Sequence, residues 1–178
     1  RFNKDTRHLS HILSDEGFET VLFNHQHTAD YDDLMGFEKH LCFNTGKFKL
    51  LTGEHVSPGV TAAEEFSTFL QSRENTRPFY AQIGFFETHT PFDWNGAKPI
   101  EETISVPSDI LDNSASRMFL AGLHGAVASL DLAVGKILSA LNSADATKNT
   151  IIIFVSDHGV QLPRGKWELY DSGIQVAW

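Results

Sequence analysis

The sequence predicts an α/β domain, a mostly parallel sheet flanked by helices, with residues 1–178 forming a single domain. Three observations carry that prediction. Runs with strand character at 18–23 (FETVLF), 79–86 (FYAQIGFF) and 150–157 (TIIIFVSD) alternate with segments whose apolar residues recur at helical spacing. The last run is apolar at both parities, as a strand buried on both faces inside a parallel sheet requires. There is no internal repeat and no low-complexity segment, so strands alternating with helices argue for parallel pairing.

Taken in order, residues 5–16 place Leu9, Ile12 and Leu13 on one helical face, and Gly17 supplies the stop. The run 18–23 follows as the first strand. Residues 28–57 are irregular except for a short strand at 48–51. Pro58-Gly59 marks a turn into a helix over 60–73 with Phe66, Phe69 and Leu70 inward, and Arg77-Pro78 ends it before the strand 79–86. A proline-containing loop, 87–112, leads to the longest helix, 114–143. Met118, Leu120, Leu123, Val127, Leu130, Val134, Ile137 and Leu141 form its expected inner face. The run 150–156 is then expected as a buried strand, neighbouring 18–23 and 79–86 in one sheet.

Composition narrows the function. Fourteen Lys and Arg against 23 Asp and Glu give a net charge of −9, with no basic run, which argues against a nucleic-acid partner. The single cysteine, Cys42, excludes an internal disulfide and a multi-cysteine metal site. No stretch approaches the roughly 18 consecutive apolar residues of a membrane span. The opening RFNKDTRHLS has no apolar signal core.

Polar clusters sit just past the three apolar runs. Asn24-His25-Gln26-His27 follows the first, Glu87-Thr88-His89-Thr90-Pro91 the second, and Asp157-His158-Gly159 the third, with Arg164-Gly165-Lys166 close behind. Open α/β sheets bind ligands beyond the carboxyl ends of their strands, so these clusters mark one candidate crevice. Asp157 and His158 offer adjacent metal ligands, and Gly159 lets the backbone turn. Their alternative is a capping aspartate beside a surface histidine. Lys166 offers a compact positive charge for an anionic oxygen; a lone lysine is otherwise solvated surface. His89 is placed to donate a hydrogen bond or a proton, against the reading of a loop histidine satisfied by backbone. His25 and His27 alternate, so a continuing strand would turn one of them to the crevice, and His27 is favoured.

The segment 151–176, IIIFVSDHGVQLPRGKWELYDSGIQV, resembles the sulfatase block in which SDNG or SDHG precedes a GK-x-x-LY-x-x-G-I-x-V run. FYAQIGFFETHTPF is similar to that family's strand and H-x-P-F-like loop, and LSHILSDEGFETVLFNHQH to its L-x-x-x-L-x-x-x-G-Y-x-T-x-x-x-G-K-x-H block. VASLDLAVGKILSAL resembles the helix before the SDNG strand. The likeness covers nearly the whole chain and is closest to heparan N-sulfatase, iduronate sulfatase and arylsulfatase-like enzymes. It implies an alkaline-phosphatase-like fold, an incomplete sulfatase N-terminal domain, and hydrolysis of a sulfate ester or N-sulfate on a small molecule or sulfated carbohydrate. Asp157 and His158 then match ligands of a divalent cation, calcium in most sulfatases. Lys166 matches the lysine that contacts sulfate and nucleophile. His89 matches the histidine that binds sulfate and protonates the leaving oxygen, and His27 the histidine that supports the nucleophile. His25 stands where the G-K-x-H block has its substrate-contacting lysine.

Two departures accompany the resemblance. The family's formylglycine is made from the cysteine of C-x-P-x-R, whereas Cys42 lies in LCFNTGK and reads as an ordinary buried cysteine. The N-terminal aspartate pair of the metal site is absent as well. The expectation is therefore an internal piece of a sulfatase, inactive alone, whose full-length relative carries the formylglycine and is periplasmic, secreted or lysosomal. Two rivals stand beside it. One is a phosphodiesterase, phosphatase or phosphoethanolamine transferase of the same superfamily, with His158 on zinc or manganese. The other is a non-catalytic domain binding sulfated glycans through His89 and Lys166.

Overall fold

The computed structural model describes residues 5–26, 28, 32–41, 48–49, 55–56, 59–73, 77–93, 98–101 and 104–177. A helix, α1 (Leu9–Asp15), precedes the first strand, β1 (Glu19–Asn24). A 3-10 turn at Asp32–Met35 leads to β2 (Lys39–Leu41), and β3 (Phe48–Lys49) with β4 (His55–Val56) makes a separate antiparallel pair. Helix α2 (Gly59–Ser72), strand β5 (Phe79–Gly84), the 30-residue α3 (Ser114–Ser143) and the short α4 (Asp171–Ile174) complete the order. The main sheet has the order β2-β1-β5, parallel throughout, and β1 is in register with β5 from Glu19 opposite Phe79 to Asn24 opposite Gly84.

Strand β1 is the centre of the fold because both its edges and both its faces are covered. Val21 and Phe23 face α2 and α3, packing against Ala62, Phe66, Phe69 and Leu141. Phe23 meets the rings of Phe66 and Phe69 edge-on at 5.5 and 5.7 Å. Leu22 turns the other way, onto Met35 and Phe37, with Tyr80 beside them. Each of these large side chains contributes about 1.5–3 kcal/mol by leaving water. Glu19 is buried at the start of β1. Lys39 Nζ at 2.7 Å and the Arg73 guanidinium at 3.5 Å compensate its charge, and Arg73 also lies over the rings of Phe69 and Phe79.

Three expectations are corrected. The run 150–156 is not a strand: Ile151 and Ile153 are 89% and 73% exposed, and no ladder includes them. Its apolar pattern marks a segment that needs cover on both faces, and no described strand supplies it. Helix α1 buries Ser10, which donates to the carbonyl of Met35, while Leu9 and Ile12 stay about half exposed. Close approach to the 35–37 segment admits a small side chain there, not a leucine. Helix α3 buries Leu120, Ala121, Gly125, Ala126, Ala133 and Leu141, whereas Met118 and Val127 are exposed. Its tight seam uses small residues, which a search for large apolar side chains passes over. Among the described helices, α3 is long and apolar enough to cross a membrane by length and composition, although it holds no unbroken apolar stretch of that length. Charged residues spaced along it broke the apolar runs used to exclude a span. Here it packs on α2 through residues including Leu141 and Ala140, and Lys136 bonds Glu64 of α2 at 2.8 Å.

Candidate active site

Two strands end level with each other, and their exits build the first part of the site. Asn24 closes β1 in a left-handed conformation (φ 62°), which asparagine tolerates because its side chain can bond locally. Its Nδ2 donates to the carbonyl of Gly84 at 3.0 Å. The chain then crosses the end of β5: a Cβ on Gly84 would lie 1.7 Å from the carbonyl oxygen of His25, so glycine is required. Strand alternation therefore stops at Asn24, and His25 rather than a continuing strand enters the site. Its ring meets that of Phe86 edge-on at 5.4 Å. His27 lies outside the described residues, as does Cys42.

The loop after β5 is pinned at both ends. Glu87 is buried, its Oε1 accepting from the N–H of Gly59 at the start of α2 and its Oε2 from that of Phe86 at 3.1 Å. Phe92 is buried against Phe119 (4.8 Å, edge-on) and Gly122 of α3. Between these anchors the His89 N–H bonds the Phe86 carbonyl at 3.0 Å, and the His89 ring stacks on Phe86 at 4.6 Å and 13°. His89 Nδ1 donates to the Thr90 carbonyl at 2.6 Å, leaving Nε2 as the nitrogen available to a ligand. The Thr90–Pro91 peptide is cis.

The third cluster is knitted to the chain beyond it. Gly159 N donates to Gly173 O at 2.9 Å, and a Cβ on Gly159 would lie 1.8 Å from the Ser172 carbonyl oxygen. Ser172 Oγ returns a bond to Arg164 O at 2.6 Å. Lys166 N donates to Val160 O at 2.9 Å, and its ammonium sits 5.5 Å from the exposed Trp167 ring. Asp157 and His158 are neighbours, with Oδ2 and Nε2 3.4 Å apart. His158 Nδ1 donates to Gly159 O at 2.8 Å, so in the neutral ring Nε2 turns its lone pair toward the carboxylate.

Thr90 Oγ1 and Gln161 Oε1, 2.5 Å apart, tie the His89 loop to the Asp157–Lys166 loop. His25 and His89 share one phenyl ring, so the structure brings the exits of β1 and β5 together and links them to the third cluster. Sequence reasoning named Glu87 and Thr90 only within their shared motif and gave no role to Phe86 or Gln161. A carboxylate directly after a buried strand, where water is scarce, was the available signal for Glu87.

Two apposed Lewis bases, Asp157 Oδ2 and His158 Nε2, are a start on a cation site. Calcium takes six to eight oxygen ligands, and no cluster of three or more His, Cys, Asp or Glu suited to a metal occurs among the described residues. The described donors therefore do not by themselves fit a complete metal centre.

The fold is the alkaline-phosphatase-like α/β fold, a small parallel sheet with flanking helices. The crystal structure of Ps i-CgsB in complex with k-i-k-neocarrahexaose matches it with a TM-score of 0.62 at 17% identity, over 98% of this chain and 47% of that one. The lipoteichoic acid synthase LtaP from Listeria monocytogenes matches with a TM-score of 0.58 at 21% identity, over 86% and 38%. The chain belongs to the sulfatase family, whose model matches residues 2–177. Among relatives, iduronate 2-sulfatase of Homo sapiens is 37% identical over 163 residues, covering 70% of this chain and 30% of that protein. An arylsulfatase of Clostridium perfringens is 25% identical over 138 residues, covering 64% and 29%. N-sulphoglucosamine sulphohydrolase of Homo sapiens is 27% identical over 130 residues, covering 59% and 26%. The chain spans less than a third of the length of these relatives.

Proposed function

We propose that this chain supplies the sulfate-binding and leaving-group side of a sulfatase active site, acting on a sulfated carbohydrate. The observation that carries the reading is the pinned loop holding His89 beside Phe86 and tied through Thr90 to the loop of Asp157 and Lys166. With Nδ1–H committed to the Thr90 carbonyl, His89 acts as an imidazolium: its second proton, on Nε2, binds the ester and passes to the departing oxygen as the sulfur–oxygen bond breaks, leaving the neutral ring with Nδ1–H still in place. Lys166 neutralises the non-bridging sulfate oxygens. His25 borders the substrate, and His27 supports the nucleophile. Asp157 and His158 furnish two donors of a divalent-cation site, calcium by family resemblance, completed from outside the described residues. The attacking oxygen is assigned to no residue of this chain. The carbohydrate assignment draws on relatives named for iduronate and N-sulphoglucosamine.

In the natural protein carrying this chain, His89→Ala and Lys166→Ala should each lower kcat/KM on an aryl sulfate by about 10²–10⁴-fold, the range for a lost acid or charge stabiliser. Folded variants with unchanged turnover, or preference for a phosphodiester, would overturn the reading. The 178-residue chain alone should neither hydrolyse an aryl sulfate nor bind calcium tightly in a calorimetric titration. Metal-dependent turnover abolished by Asp157→Ala would show it to be a complete catalyst.

A further inference from the structure

We infer that Glu87 is the positioning residue of the site, a buried carboxylate that sets the orientation of His89 through Phe86. The inference rests on the reading of His89 as the group that meets the substrate. A carboxylate that is only 1% exposed is costly to bury unless its oxygens are answered. Here the answers come from two different elements. Oε1 takes the N–H of Gly59, where the partial positive end of the 14-residue helix α2 stabilises an anion. Oε2 takes the N–H of Phe86 at 3.1 Å. The first bond spans 28 residues of sequence, so Glu87 is not a local cap; it ties the loop beyond β5 to the helix before it.

The second bond acts directionally. Fixing the Phe86 backbone fixes its carbonyl, which holds the His89 N–H at 3.0 Å, and its ring, on which the His89 imidazole lies at 4.6 Å and 13°. The same ring meets His25 at 5.4 Å. One carboxylate therefore governs two imidazoles through a single phenyl ring. Gly59 belongs to the arrangement as well: a Cβ there would stand 2.7 Å from Glu87 Oε1 and 2.9 Å from the ring of Phe85, displacing the carboxylate. A residue that merely stabilised α2 would need the first bond and not the second.

The test separates the two. In the 178-residue chain, the ring protons of His89 should show the upfield shift of an imidazole lying on a phenyl face, and Phe86→Leu sets its zero. Glu87→Ala should lose most of that shift with α-helical circular dichroism retained. Glu87→Gln, which keeps the volume and one acceptor but presents an N–H₂ to a donor, should lose part of it, and it decides the matter if the alanine variant does not fold. A folded variant whose His89 resonances coincide with the wild type overturns the inference, whatever the protein catalyses. In the natural protein, the same substitutions should lower aryl-sulfate kcat by about 10–100-fold, with KM changed less than about twofold. Loss of the ring shift with turnover intact would uphold the positioning and remove His89 from the chemistry, so the two readings fail separately.

Discussion

Strand β1 and the run 151–155 are written in the same residues and end in opposite states. ETVLFN and IIIFV both carry β-branched and aromatic residues and both read as strands, the second as one buried on two faces. In β1, Val21, Leu22 and Phe23 have no exposed surface, with β2 and β5 on either edge. In 151–155 the same kinds of side chain are 47–89% exposed. The difference teaches that such a pattern encodes a demand for cover, while the covering elements decide whether it becomes a strand. Propensity in a sheet is largely side-chain packing against neighbours. Without a partner strand among the described residues, the backbone of 151–155 has no ladder to join. Where a partner exists it takes it, as when Ser156 N donates to Ala177 O at 3.1 Å just beyond the run.

The largest expected contrast is energetic. Phe23→Ala removes a ring enclosed by Phe66 and Phe69 and should cost about 3–5 kcal/mol in urea unfolding. Ile153→Ala should cost less than about 0.5 kcal/mol, as at a surface position. Comparable losses at both sites would break the comparison. Next is local protection: amides of Val21–Phe23 should exchange orders of magnitude more slowly than those of Ile151–Val155 under native conditions. Equal protection would mean the run is covered in solution. The smallest effect is a dependence on pH at the N-terminus of α1. His8 Nδ1 accepts the Ser10 N–H at the start of α1, and burial, with the neighbouring His11, holds its imidazole below the ordinary pKa of 6.5. The unfolded chain takes up that proton first, so this contribution is complete above about pH 6.5 and fades as pH falls below it. His8→Asn, which keeps a capping oxygen without a titrating ring, should flatten the fall in melting temperature between about pH 7 and 5.

Much of the fold was legible because its signals are local. The bounds of α3 follow from periodicity, and Asn113 adds an N-cap, accepting from Ser116 N at 2.9 Å. Helix α2 buries Phe66 and Phe69 as its spacing requires, and β1 and β5 stand within a residue or two of their apolar runs. Strand β2 was missed because Lys39–Leu41 is three residues long, with an exposed lysine and no alternation to detect. The seam of α3 was misjudged because close helix packing selects small residues, which hydrophobicity ranks low. Within the candidate site, the places of His89 and the Asp157–His158 pair just beyond apolar runs were legible in the sequence. Glu87 and Phe86 were not, since their roles depend on a bond to α2 and a ring contact that sequence separation conceals.

The crossing of His25 over Gly84 has a consequence for the order of assembly. The left-handed turn at Asn24 closes onto the Gly84 carbonyl, which is opposite it only when β1 and β5 are paired in full register. Until then the chain has no surface on which to cross, and the Phe86 ring has no fixed place between the two imidazoles. A collapsed chain with α2 and α3 already docked would still hold His25 and His89 at random. The site is thus completed by the same event that joins the two strands, and a slip of one residue in their register would both turn Val21 and Phe23 away from the helices and leave the site unmade.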